Sequence, residues 1–163
     1  MLKKLFGKKE TLENLVSPIT GNILKIEAVP DDMFSQKMLG DGIAVEPTEG
    51  IVVSPLDGEV VQFFPTKHAV GIQGNNGLEV LIHIGLETVA LNGEGFEGYV
   101  QQGDKVRAGD KLISFDLELI KEKADSIVSP VVITNFDQVQ ELVKSEGSTA
   151  NHGESVLLKV KIK

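Results

Sequence analysis

From Leu15 onward, short apolar runs rich in valine, isoleucine and leucine alternate with dense turn signals. Thr20-Gly21-Asn22, Gly40-Asp41-Gly42, Asp57-Gly58, Gly74-Asn75-Asn76-Gly77, Gly103-Asp104 and Gly109-Asp110 mark turns, and strand-like runs lie between them at residues 22–26, 50–53, 59–63 and 111–115. Short strands between frequent turns predict an all-β fold, an antiparallel β-sandwich or barrel. The densest run is Leu78-Glu79-Val80-Leu81-Ile82-His83-Ile84-Gly85. Strand periodicity puts Val80, Ile82 and Ile84 on one face and Glu79, Leu81, His83 and Gly85 on the other. Residues 155–163 alternate again and predict a closing strand.

Helical signals are few. Asp116 can cap a helix over residues 117–124, with Leu117, Ile120 and Ala124 at helical spacing. Residues 135–144 carry an Asn cap, Gln138 three positions on and an apolar stripe of Val139, Leu142 and Val143, which predicts a second helix. Both are expected to cover the sheets. Val16-Ser17-Pro18-Ile19-Thr20-Gly21-Asn22-Ile23 is echoed by Val53-Ser54-Pro55-Leu56-Asp57-Gly58-Glu59-Val60, and Val128-Ser129-Pro130-Val131 repeats the opening. The copies are too few and too unevenly spaced for a solenoid, so they predict a duplicated motif within one domain.

Composition narrows the function classes. The length of 163 residues suits one domain with a proper core. With 16 Lys and Arg against 24 Asp and Glu, the net charge of −8 argues against nucleic acid as a partner and favours a basic protein. The absence of cysteine excludes disulfides and thiolate chemistry. No secretory signal is read and no apolar run reaches the roughly 18 residues of a membrane span, so a cytoplasmic location is expected. Residues 1–14 are read as an N-terminal segment ahead of a domain at 15–163. Its first ten residues, MLKKLFGKKE, form a basic island, read as a frayed terminus, with weak membrane contact through Leu2, Leu5 and Phe6 as the alternative.

Two motif matches lead nowhere. Gly93-Glu94-Gly95-Phe96-Glu97-Gly98 fits the dinucleotide pattern, but Tyr99-Val100-Gln101-Gln102-Gly103-Asp104 reads as a short strand and a turn, where that motif needs a helix. Residues 103–112 resemble a turn of biotinyl and lipoyl carrier domains without the modified lysine at a hairpin tip.

The three histidines carry the candidate chemistry. His83 lies in the apolar run above. His68 lies in Phe63-Phe64-Pro65-Thr66-Lys67-His68-Ala69-Val70-Gly71-Ile72, read as one strand with Phe64, Thr66, His68, Val70 and Ile72 on a common face. His152 falls in a polar loop and is expected to be exposed. Paired imidazoles serve zinc binding, acid–base catalysis or phosphoryl transfer. Zinc needs at least three protein ligands, and neither a cysteine nor a third well-placed histidine is evident, which leaves one of the 24 carboxylates to complete such a site. In phosphoryl transfer, one neutral imidazole attacks while the other donates a hydrogen bond to the phosphoryl oxygens.

The marks Ile82-His83-Ile84-Gly85-Leu86-Glu87-Thr88-Val89, Thr66-Lys67-His68-Ala69, Gly40-Asp41-Gly42, Asn92-Gly93-Glu94-Gly95-Phe96 and Ser129-Pro130-Val131-Val132-Ile133 together resemble the glucose-type enzyme IIA components of the bacterial phosphoenolpyruvate-dependent sugar phosphotransferase system. The resemblance runs over residues 15–163 and implies an antiparallel β-sandwich with a duplicated motif. It implies that His83 accepts a phosphoryl group from phospho-HPr on Nε2 and that His68 holds the phosphoryl oxygens. Thr66 would orient His68, and the Gly85 carbonyl would fix the tautomer of His83. The group would then pass to a cysteine on the IIB domain of a sugar permease, with no metal or other cofactor. Partner docking is implied for Met33, Phe34, Met38, Leu39, Phe64 and Leu81, with Asp31 and Glu87 facing basic residues. One rival is a zinc-dependent hydrolase on a related β-fold, although the H-x-H pair such enzymes usually carry is absent; the other is a binding module with incidental histidines.

Overall fold

The computed structural model describes residues 11–163, so the basic island at 1–10 lies outside the described residues. The chain forms strands β1 (Thr11–Val16), β2 (Gly21–Lys25), β3 (Asp41–Pro47), β4 (Ile51–Val53), β5 (Gly58–Phe63), β6 (Ala69–Gly74) and β7 (Glu79–His83). It continues through β8 (Phe96–Gly98), β9 (Lys105–Val106), β10 (Lys111–Phe115), β11 (Ser129–Ile133), β12 (Val139–Lys144), β13 (Thr149–Ala150) and β14 (Val156–Ile162). Two short helices, α1 (Asp32–Ser35) and α2 (Leu117–Lys123), sit in connections. The pairings are antiparallel throughout. An eight-stranded sheet runs β13-β2-β3-β11-β7-β6-β5-β9, and two three-stranded sheets run β1-β14-β12 and β4-β10-β8. The sheets pack as a sandwich and stay open rather than closing into a barrel.

The large sheet buries both of its faces. Val80, Ile82 and Ile84 join Ile43, Val45, Val131 and Ile133 in a main core that also takes Leu158 and Val160 from β14 and Leu112 and Ile113 from β10. Across the sheet, Ala44 and Val132 join Ile26, Val29, Phe34, Leu86 and Val128 in a smaller core, with Leu24, Leu39 and Leu81 packed beside it. Residues 26–39, which include α1, cover this second face. Burial on two sides explains why β3 and β11 read as near-continuous apolar runs rather than as alternation.

The duplication is explicit in the hydrogen bonds. The Val16 N–H donates to the Pro55 carbonyl at 3.0 Å, and the Val53 N–H donates to the Pro18 carbonyl at 2.9 Å. The Ser17 hydroxyl donates to the Ile19 carbonyl at 2.6 Å, and the Ser54 hydroxyl donates to the Leu56 carbonyl at 2.7 Å. Each Ser-Pro copy therefore straps the other across a local two-fold axis.

Helix α2 forms where expected, its Asp116 cap accepting from the Leu119 N–H. Other readings change. Residues 139–144 form β12 rather than a helix, because they pair with β14 along a ladder interrupted only by a bulge between Val139 and Glu141, and their β-branched valines suit it. Asn135 opens a single 3₁₀ turn at Phe136–Gln138 without a side-chain cap; its side chain instead accepts from the Glu79 N–H and donates to the Gly77 carbonyl, both at 2.8 Å, and so clamps the β6–β7 hairpin. The run 63–72 is two strands joined by a turn, since Lys67 adopts φ 59° and its N–H closes onto Phe64. The strand expected at 99–100 lies earlier, at β8. Residues 11–14, counted by sequence with the N-terminal segment, form most of β1 and pair with β14.

Replacing Ser17 or Ser54 by alanine is expected to lower stability by about 1–2 kcal/mol each, since a buried hydrogen bond is lost. Urea unfolding measures this; unchanged midpoints would show that the straps do not contribute.

Candidate functional site

The site grows from one register. Strands β6 and β7 pair with Ala69 opposite His83, and the Ile84 N–H donates to the His68 carbonyl at 2.7 Å. This puts the side chain just before β6 beside the one that ends β7. The two imidazole centroids lie 5.0 Å apart at an interplanar angle of 79°. Phe34 of α1 packs against His83 with centroids 5.3 Å apart and the rings tilted by 59°, and Phe64 meets His68 edge-on at 5.2 Å.

Each ring has one nitrogen committed. His83 Nδ1 is 2.7 Å from the Gly85 carbonyl oxygen. A carbonyl can only accept, so Nδ1 carries the proton and the Nε2 lone pair is free. His68 Nδ1 lies 2.5 Å from Thr66 Oγ1, a hydroxyl able to donate or accept. If the hydroxyl donates, His68 Nε2 keeps its proton and becomes a donor. The tight turn at 64–67 brings Thr66 and His68 together, where strand alternation was expected.

Gly85 is constrained on every side. Its φ is +68°, and a Cβ there would lie 2.9 Å from both the Ser126 carbonyl oxygen and Thr88 Cγ2. Its N–H donates to Ser129 Oγ at 3.0 Å, and the Thr88 hydroxyl donates to the Ile84 carbonyl at 2.6 Å. Ser129 and Thr88 were not singled out as site residues from the sequence. The available signal was the third Ser-Pro copy, which lacks the Thr-Gly or Asp-Gly turn of the other two. The non-glycine residues with positive φ among the described residues are Lys37, Lys67, Glu87 and Asn92. Lys67 directly precedes His68 and Glu87 lies beside His83, so left-handed backbone costing about 1 kcal/mol or more at each is held in the connections at the pair.

Both imidazoles are held neutral. His68 is only 5% exposed, and its pKa falls to about 4, first through loss of water and then through repulsion from His83. Desolvation also lowers the pKa of His83, while the Gly85 carbonyl, Asp31 and Glu87 pull it upward without reversing the shift. His152 is half-buried rather than free in solvent, its Nε2 3.5 Å from Glu49 and its main-chain N–H donating to Thr20 Oγ1.

The expected docking residues divide by depth. Met33 and Met38 are 46% and 64% exposed, Glu87 is exposed, and Asp31, Leu39, Phe64 and Leu81 are half-buried. Phe34 is buried, so it forms the wall against His83 rather than an outer contact. Asp31 also accepts from the Met33 N–H at 2.9 Å, capping α1. Among the described residues, no group of three or more His, Cys, Asp or Glu is arranged to hold a metal ion. The Gly93–Gly98 stretch enters β8 and starts no helix.

Comparison with known proteins bears on this geometry. Residues 13–139 match the family model for the phosphoenolpyruvate-dependent sugar phosphotransferase system, EIIA 1. The chain is 56% identical over its full length to the full length of a PTS system glucose-specific EIIA component of Bacillus anthracis. It is 50% identical over 99% of both chains to the protein of that name from Halalkalibacterium halodurans. Among solved structures, glucose permease IIA from Mycoplasma capricolum superposes with a TM-score of 0.85 at 39% identity, over 91% of this chain and 96% of that one.

The neutral pair has a consequence for acid stability. The unfolded chain takes up protons near pH 6.5, whereas folded His68 resists until about pH 4. Its contribution is therefore complete above pH 6.5 and falls away as the pH drops toward 4. Between pH 7 and pH 5 the wild-type chain is expected to lose on the order of 2 kcal/mol more than His68→Gln. Urea titrations at the two pH values check this, and equal losses would place the protonation penalty elsewhere.

Proposed function

This chain belongs to the EIIA 1 family of the phosphoenolpyruvate-dependent sugar phosphotransferase system, and we propose that His83 is the residue that carries its phosphoryl group. The chain is a phosphotransferase component that takes phosphate from HPr and passes it on. The observation that supports His83 most directly is its tautomer: Nδ1 is committed to the Gly85 carbonyl, which leaves Nε2 as the nucleophile. The zinc-hydrolase reading finds no support in the comparisons.

In the proposed step, the Nε2 lone pair of His83 attacks phosphorus as the bond between phosphorus and HPr breaks. The new N–P bond leaves the ring cationic, and the Nδ1–H keeps its bond to the Gly85 carbonyl, which stabilises that charge. The Thr66 hydroxyl donates to His68 Nδ1, so His68 Nε2–H can donate to a phosphoryl oxygen. Low basicity suits both roles, because each ring must enter the step without an added proton. The group then leaves Nε2 for a cysteine thiolate on the IIB domain of a sugar permease, and His83 returns to its neutral form. The names of the relatives make glucose the sugar we propose.

Exposed Met33 and Met38, with half-buried Leu39, Phe64 and Leu81, give partners an adaptable apolar rim. Asp31 and Glu87 supply negative charge beside His83, suited to a basic partner. Among the described residues no helix is long and apolar enough to cross a membrane. We place the relay on the cytoplasmic side and assign it to the domain that opens with β1; a weak membrane contact through 1–10 is a separate question that vesicle sedimentation of full-length and truncated chains would answer.

Incubation with phosphoenolpyruvate, the general phosphotransferase enzyme and HPr should add one phosphoryl mass that is labile in acid and stable in base. His83→Ala should abolish the gain. His68→Gln should still label but pass the group on at least tenfold more slowly, because the nucleophile stays and the clamp is lost. Normal labelling of both variants would refute the assignment.

A further inference from the structure

The third Ser-Pro copy departs from the other two. Ser17 and Ser54 turn their hydroxyls forward onto the carbonyls of Ile19 and Leu56. Ser129 turns its hydroxyl back, donating to the Ile127 carbonyl at 2.9 Å, and thereby offers its oxygen to the Gly85 N–H at 3.0 Å. All three serines are fully buried, so their difference lies in what each oxygen binds.

Pro130 helps explain the change. Strand β11 lies inside the large sheet between β3 and β7, and its ladder with β7 ends at the pair Val131–Ile82. Proline has no N–H to extend such a ladder. Beyond that point the chain after His83 is held by side chains and single bonds. The Gly85 N–H goes to Ser129 Oγ, the Ile84 carbonyl accepts from the Thr88 hydroxyl, and the Leu86 N–H donates to the Ser126 carbonyl at 2.9 Å. These bonds hold both peptide planes that flank Gly85, and the second plane bears the carbonyl that accepts from His83 Nδ1.

We propose that Ser129 is a positioning residue for phosphoryl transfer: by fixing the Gly85 peptide it sets the tautomer of His83 and the direction of its Nε2 lone pair. The inference rests on His83 being the phosphoryl carrier. Ser129 touches neither the ring nor the phosphoryl group. Without its oxygen the buried Gly85 N–H loses its acceptor and the Ile84–Gly85 plane turns. Through the Gly85 Cα this tilts the next carbonyl off its line to Nδ1, although the Leu86 N–H still ties that plane to Ser126, and His83 drifts toward the Nε2–H form, which cannot attack.

The test is ring-nitrogen NMR of the full chain together with the rate of labelling by phospho-HPr. Ser129→Ala should shift the neutral His83 population from Nδ1–H toward Nε2–H and slow labelling by about tenfold. Ser17→Ala and Ser54→Ala, equally buried, should lower stability yet keep the Nδ1–H tautomer and the wild-type rate. If Ser129→Ala does not fold, Ser129→Cys keeps the volume with a weaker acceptor and is read in the same way. A Ser129 variant with the native tautomer and rate, whatever its stability, overturns the proposal. The tautomer measurement needs no phosphoryl donor, so failure of wild-type His83 to label would defeat the functional reading separately.

Discussion

The pairing of β6 with β7 is the constraint on which the site depends. With Ala69 opposite His83 and the Ile84 N–H bound to the His68 carbonyl, the two imidazoles must share one end of the hairpin. A slip of one residue would turn His83 into the main core and Ile82 out of it. The apolar alternation of β7 forbids that slip, so the burial of Val80, Ile82 and Ile84 also aims the histidine. Stability and chemistry share the same residues here.

The strand that carries His83 was legible because alternation and β-branching agree over residues 78–85. The duplicated Ser-Pro unit was legible as text, but its reciprocal straps were not, since each copy bonds to a segment more than thirty positions away. Residues 135–144 misled because Val139, Leu142 and Val143 fall at helical spacing by coincidence, while the deciding ladder to β14 lies beyond an intervening polar loop and is not written in the local pattern. Lys67 hid the turn before His68, since nothing in a lysine announces a left-handed backbone.

The candidate site divides along the same line. His83, His68, Thr66 and Gly85 are close in sequence and carry a recognisable resemblance, so they could be named in advance. Ser129 and Thr88 act through the backbone of Gly85, and only coordinates reveal such second-hand contacts. Phe34 sits between these cases: its ring lies against His83, yet its burial makes it a wall of the site instead of part of the rim.

The smaller core has a consequence for motion. Ile26, Val29, Phe34, Ala44, Leu86, Val128 and Val132 form a cluster separate from the main one, closed by the short α1 segment. Such a satellite can open as its own cooperative unit well below the free energy of global unfolding. Because Phe34 belongs both to that unit and to the wall of His83, amide exchange over 31–39 and the order of the imidazole should be coupled. A partner seated on Met33 and Met38 would then quiet the same fluctuation that loosens the ring, so that docking and preorganisation become one event.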